Sequence, residues 1–131
     1  MYGRAGIAYV YFTYGMQWCL NAVTEAEGFP AAVLIRAIEP LEGTEIISAR
    51  RNGRGTDGPA KLTMALGVDG AQNGIDLTTT ESGLWIEMGE NIPDFRVTQT
   101  PRVGLYSVPE PWKSIPWRFV AESEVSRLRK R

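Results

Sequence analysis

The sequence predicts an α+β fold: short helices, a mixed or antiparallel curved sheet in the manner of a partly open barrel, and one protruding β-hairpin. Three observations point to it. Residues 8–23 alternate aromatic or polar side chains with apolar ones, the two-residue period of a half-buried strand. Residues 44–66 hold two stretches with helix-start residues and leucines four apart. The remainder breaks into short β-prone runs separated by glycine and proline.

Each element follows from local chemistry. Strands are expected near 7–13, 17–24 and 31–38. Tyr9 and Tyr11 alternate with Val10 and Phe12, so in an extended chain the tyrosines project from one face and the apolar pair from the other. Tyr14-Gly15 breaks the alternation and is expected at or near the tip of a hairpin. Ala31-Ala32-Val33-Leu34-Ile35 is continuously apolar and predicts a buried third strand. Thr44 is expected to cap a helix running to about Arg51, with its arginines at the end where the helix dipole favours cations. Pro59 suits the first turn of a second helix reaching Leu66. A strand is expected at 83–87, a loop at 89–101, a strand-like entry at 102–105, and a closing strand at 117–120. No repeat or linker divides the chain, so residues 1–131 are read as a single domain.

Composition narrows the function classes. At 131 residues and 44% hydrophobic content the chain can bury one moderate core without disulfides, and its lone cysteine, Cys19, excludes an internal one. No apolar run reaches membrane-spanning length and no signal-peptide pattern is present, which predicts a cytoplasmic, nucleoid-associated protein with no membrane partner. A net charge of −1 argues weakly against DNA, since duplex binders usually carry a basic excess. Distribution matters more than the sum. Arg50, Arg51, Arg54 and Lys61 cluster among Gly53, Gly55 and Gly58, which reads as phosphate contact, whereas Arg127, Arg129, Lys130 and Arg131 read as a solvated terminus.

The chemistry is constrained most by the lack of histidine. With no histidine, Ser-His-Asp and Cys-His nucleophiles and histidine metal sites are excluded, and no metal or cofactor is expected. Carboxylate chemistry remains, and hydrolysis of an N-glycosidic bond suits a carboxylate that activates water against an oxocarbenium-like sugar. A projecting aromatic hairpin also suggests something flat to stack on or wedge apart, bases being the commonest such partner. The plain alternative is ordinary cross-strand packing of aromatics.

Four blocks, in one order, tip that balance. Tyr9-Val10-Tyr11 through Tyr14-Gly15-Met16 and the Cys19-Leu20-Asn21 that follows resemble the base-binding hairpin of the alkyladenine (3-methyladenine, methylpurine) DNA glycosylase family. The resemblance continues through Val33 to Gly43, Gly58-Pro59-Ala60-Lys61-Leu62, and Pro101-Arg102-Val103-Gly104. It implies a base-excision repair enzyme that flips alkylated or deaminated purines out of double-stranded DNA and hydrolyses the N-glycosidic bond without cofactor. Position by position, it implies that Tyr11 stacks on the flipped base and Tyr14 wedges into the minor groove. Asn21 matches the pocket asparagine that rejects guanine's exocyclic amine. Arg36 and the carbonyl of Val103 match the groups that hold the hydrolytic water. Met16 and Gln17 lie where the family touches flanking bases and backbone, and Ala60 and Lys61 where it grips phosphates. Structural alternatives stand beside these: Arg36 pairing with Glu39 or another acid, and Asn21 satisfying a buried backbone group.

In that family the catalytic glutamate sits in a Glu-Thr-Glu-Ala-Tyr type motif N-terminal to the hairpin, with a histidine shortly after, and this sequence contains neither. Glu25 and Glu27 belong to an expected turn beside Gly28, Glu39 precedes Pro40, and Glu42 and Glu45 are helix N-terminal charges, so none is assigned the role. The domain is therefore expected to be incomplete at its N-terminus. The longer form is expected to be a monomer, and this chain to self-associate through an exposed flank of the hairpin. The alternative function is a catalytically inactive remnant that only binds DNA or damaged bases.

Overall fold

A computed structural model of the chain describes residues 1–13 and 16–122. The assignments made for Tyr14 and for the basic tail lie outside the described residues. Two compact units form, Met1–Glu87 and Met88–Arg131. The architecture is α+β with antiparallel sheets and no closed barrel among the described residues. Among them, no helix is long and apolar enough to cross a membrane.

The first unit is built on a three-stranded antiparallel sheet in the order β1 (Ala8–Thr13), β2 (Gln17–Val23), β3 (Ala32–Leu34). In the β1–β2 register Ala8, Val10 and Phe12 face Ala22, Leu20 and Trp18, while Tyr9 and Tyr11 face Asn21 and Cys19. Because directly opposed residues share a face, the expected alternation holds across both strands. Ala8, Val10 and Leu20 enter the core, where they join Leu62, Val68 and Leu77, with Trp18, Ile35 and Ile38 packed around them. The outer edge of β1 is covered by residues 73–77. Gly74 N–H donates to the Ala8 carbonyl and Ala8 N–H to the Ile75 carbonyl, both at 2.8 Å, and the Asn73 side chain extends the ladder by accepting from Val10 N–H at 2.9 Å.

Helices α1 (Thr44–Arg51) and α2 (Pro59–Leu66) occupy the predicted spans, and α2 packs on β2 through Leu62, which is completely buried. The start of α1 differs from expectation: Gly43, in the left-handed region at φ 68°, is the N-cap, and Thr44 is already helical. A left-handed cap favours glycine over threonine, whose Cβ resists that conformation. The other end of α2 closes on Gly67, also left-handed at φ 70°, where a Cβ would lie 3.1 Å from the Arg50 guanidinium.

The third strand departs further from expectation. It has only three residues, and Val33 is 54% exposed, because β3 lies at the sheet edge with β2 as its sole neighbour. The apolar run alone does not reveal this: a continuous run suits a strand covered on both faces, but covering depends on what the rest of the chain lays there. Residues 83–87 form no strand, one backbone bond from Ile86 N–H to the Leu77 carbonyl being their link to the turn at 76–78.

In the second unit β4 (Val97–Thr100) pairs antiparallel with β5 (Arg118–Ala121), with Val97 opposite Ala121 and Thr100 opposite Arg118. The closing strand is thus present one residue later than expected. The expected loop at 89–101 contains β4, and the strand-like 102–105 holds a turn at Val103-Gly104 instead of a strand.

A polar clasp secures the chain ahead of β1. Asp76 accepts from the Thr78 hydroxyl at 2.5 Å, from Thr78 N–H at 2.8 Å and from Arg4 at 2.7 Å. These bonds, the Thr78 hydroxyl first and Arg4 next, hold its carboxyl at about 2 against an ordinary 3.8.

Leu62→Ala should lower the stability of the first unit by about 2–5 kcal/mol in chemical denaturation, the range for a truncated, fully buried leucine. Ile46→Ala, on the exposed side of α1, should change it by less than about 0.5 kcal/mol. Since the folded-state pKa of Asp76 is depressed, its contribution is complete above the ordinary value and is lost as pH falls through about 2. The thermal midpoint should therefore drop between about pH 4 and pH 2 by more in the wild-type chain than in Asp76→Asn. Equal acid sensitivity of the two proteins would remove the clasp from the account of stability.

Candidate nucleic-acid interface

The face of β1 and β2 turned away from the core carries the aromatic residues the sequence singled out. Tyr9 and Tyr11, two apart on one strand, bring their ring centroids to 5.3 Å at 34°. Tyr11 is 37% exposed, so part of its ring is open to solvent. Opposite it lies buried Cys19, and opposite Tyr9 lies Asn21.

Asn21 sits in the middle strand, flanked by Tyr9 on β1 and Leu34 on β3. It is 7% exposed, and its Nδ2 donates to the Tyr9 carbonyl at 3.1 Å. Such a bond meets the requirement that a buried amide find a partner, and it fixes the side chain beside the tyrosines. The structural alternative for Asn21 is thus realised in geometry, and it orients the same group that the resemblance places in the base pocket.

Arg36 follows two residues after Leu34, half-buried. It takes no part in the ion pairs Arg4–Asp76 and Lys61–Asp57. The backbone beside it is anchored twice: Ala37 bridges Asp57, and the Thr56 hydroxyl donates to the Ile38 carbonyl at 2.7 Å. That anchoring loop runs directly into α2, whose first turn contains Ala60 and Lys61. No side chain caps this helix, and the N–H groups of its first turn have no intrahelical acceptor. Lys61 reaches back to Asp57 at 3.2 Å, and that hydrogen bond is the main reason the Asp57 carboxyl lies below the ordinary range. Tyr11, Asn21, Arg36, Ala60 and Lys61 all belong to the first unit, linked by strand pairing and one short loop. At the hairpin, Gln17 pairs with Thr13 and Met16 is 80% exposed.

The arginine cluster is a correction. Arg51 is buried at 6% exposure, donating Nε to the Gly55 carbonyl at 3.0 Å and a guanidinium N–H to Met64 Sδ at 3.3 Å. Arg50 donates to the Ala65 carbonyl at 3.0 Å, and Arg54 Nε donates to the Arg51 carbonyl at 3.2 Å. Arg54 and Arg50 thus satisfy carbonyls at the ends of α1 and α2, and Arg51 one in the loop between them. The glycines between them lie in an exposed loop, so burial takes Arg51 alone out of the expected phosphate contact, while Arg50 and Arg54 stay at the surface.

Val103 lies in the second unit, 53% exposed, in the turn before Gly104. Residues 101–106, with Lys113 and Ser114, line an open pocket of about 370 Å³ there. The Arg102 guanidinium stands 5.7 Å from the Trp117 ring centroid, and Trp117 pairs with Trp112 at 5.9 Å. Sequence reading did not single out this aromatic pair, nor Asn73 and Thr63, whose side chains complete the β1 and β2 ladders. An Asn-Gly pair at 73–74 signals a turn, but nothing in the sequence near Thr63 indicates a bond to a strand 45 residues away.

Residues 1–125 match the profile of the family described as methylpurine-DNA glycosylase. The chain belongs to that family. It is 42% identical over 126 residues to the "Putative 3-methyladenine DNA glycosylase" of Herpetosiphon aurantiacus, covering 92% of this chain and 57% of the relative. The Carboxydothermus hydrogenoformans protein of the same name is 45% identical over 123 residues, covering 91% of this chain and 62% of the relative. That of Clostridium acetobutylicum is 42% identical over 144 residues, with 99% and 68% covered. The chain thus spans about three fifths of the length of the first two glycosylase relatives. Family membership accords with the resemblance seen in the four blocks.

Asn21→Ala removes a donor from a buried carbonyl and should cost about 0.5–1.5 kcal/mol of stability by denaturant titration, independent of any ligand. An unchanged midpoint would mean that the amide is held for binding alone.

Proposed function

We propose that this chain acts in base-excision repair as a DNA glycosylase that flips alkylated or deaminated purines from the duplex and hydrolyses the N-glycosidic bond. The observation that carries the proposal is the family match across residues 1–125. The sheet face bearing Tyr11 and Asn21 supports it with a suitable surface.

In this reading the duplex phosphates meet Lys61 and the uncapped first turn of α2, where a cation and free N–H groups coincide. The extruded purine stacks on the open part of Tyr11, and its edge is read by Asn21, already oriented by its bond to Tyr9. Tyr14 takes the space the base vacates, and Met16 and Gln17 touch the neighbouring base pairs and backbone. Arg36 holds the attacking water. It cannot accept that water's proton, because arginine stays charged. A carboxylate must do so, with departure of the purine leaving an abasic sugar. No glutamate of this sequence resembles the family's catalytic one, and that observation favours a second reading, in which the chain binds damaged DNA without cleaving it.

The two readings separate in a gel assay with a hypoxanthine-containing duplex, followed by alkaline cleavage at abasic sites. Release of the base above background by residues 1–131 supports hydrolysis by this chain, and binding without release supports the second reading. Release would assign the proton to a carboxylate on this chain, Glu39 being nearest to Arg36 in sequence. In either case, Tyr11→Ala should weaken binding to the hypoxanthine duplex by about 1–3 kcal/mol, the worth of one stacked base, and leave the undamaged duplex unaffected. Tyr14→Ala should do the same with an abasic-analogue duplex. Lys61→Ala should weaken both duplexes alike and lower the salt slope by about one phosphate contact. Equal losses on damaged and intact DNA for the tyrosine variants would remove the base-recognition assignment.

A further inference from the structure

The sheet loses its third strand before its second one ends. On the β3 side of β2, the Leu20 carbonyl accepts from Ile35 N–H at 3.0 Å. By the two-residue period the Trp18 carbonyl faces the same side, but β3 spans only Ala32–Leu34 and supplies no donor there. Thr63 of α2 supplies it. Its hydroxyl, in a residue only 2% exposed, stands 3.0 Å from the Trp18 carbonyl and 3.1 Å from the Ala60 carbonyl one turn back on its own helix.

The second contact is the ordinary back-bonding of a helical threonine. The first is not, since it crosses from helix to strand at a sequence separation of 45. It also meets the strand at a rigid point: the Trp18 ring lies 4.8 Å from Phe12, and a Cβ on Gly70 would stand 2.9 Å from its Cη2. The next residue, Cys19, is the ladder partner of Tyr11. One hydroxyl therefore joins the turn containing Ala60 and Lys61 to the strand that carries Cys19 and Asn21.

We propose that Thr63 is a positioning residue that holds the first turn of α2 at one spacing from β2, so that phosphate contact at Ala60 and Lys61 and base contact at Tyr11 and Asn21 engage one duplex together. The proposal rests on the DNA reading above. A grip on phosphate and a grip on an extruded base reinforce each other only when their separation matches the nucleotide, and misplacement by a fraction of an ångström wastes one of them.

The test compares affinities of the full chain for a hypoxanthine-containing duplex and for the same duplex undamaged, by fluorescence anisotropy. Thr63→Val keeps shape and removes the hydroxyl, and it should reduce the preference for the damaged duplex by about tenfold, as expected for one buried hydrogen bond. Thr63→Ser, which restores the hydroxyl, should stay within about twofold of wild type. On a Lys61→Ala background, Thr63→Val should change the preference by less than about twofold, because the contact it positions is already gone, whereas a general loss of stability would add in full. Wild-type preference retained in Thr63→Val overturns the positioning role and leaves the DNA reading intact. Equal affinity of the wild-type chain for both duplexes overturns both. If Thr63→Val does not fold at the assay temperature, Thr63→Ser decides: retained preference supports the hydroxyl, and lost preference assigns the effect to the methyl group and overturns the proposal.

Discussion

The two-residue period shared by β1 and β2 is the constraint on which the first unit depends. It sends Ala8, Val10 and Leu20 into the core against Leu62 and leaves Tyr9, Tyr11, Cys19 and Asn21 on the opposite face. A slip of one residue would exchange the faces, burying tyrosine hydroxyls in an apolar core and exposing the valine and leucine that drive folding. The register that makes the core is therefore also the register that presents Tyr11 and Asn21. Packing and the proposed recognition share one geometric requirement.

Helix α2 meets the same requirement from the other side. Leu62 anchors it to the core, Thr63 ties it to β2, and its uncapped start carries Ala60 and Lys61. Consecutive residues of one turn thus perform packing, strand completion and the presentation of charge. The arrangement is compact because a helix places residues 100° apart, so neighbours in sequence address different surroundings.

Cations in this chain divide by what surrounds them. Arg50 and Arg54 serve carbonyls at helix ends, where orphan acceptors are a fixed feature of helical geometry, and Arg51 serves one in the loop between the helices. Lys61 has an exposed partner in Asp57, which an incoming phosphate could replace at small cost because exposed pairs contribute little.

Short-range chemistry was legible in the sequence. The hairpin faces followed from alternation at 9–12, the second helix from Pro59 and the leucine spacing, the span of the first from Thr44 to its terminal arginines, and the family from four ordered blocks. Long-range pairing was not. The apolar run at 31–35 concealed an edge strand, Val97–Thr100 lacked the length and hydrophobicity to announce β4, and the spacing at 50–54 did not show that Arg51 is buried against Gly55 and Met64. Nor could spacing show that Asn21 bonds Tyr9, or that Thr63 reaches Trp18. By itself the sequence determined periodicity, helix ends, the family and the residue types available for chemistry, because these depend on neighbours a few positions away. Only the tertiary structure decided which apolar faces are covered, which cations are consumed by carbonyls and which polar side chains finish a ladder, because each of those depends on atoms brought together from distant parts of the chain.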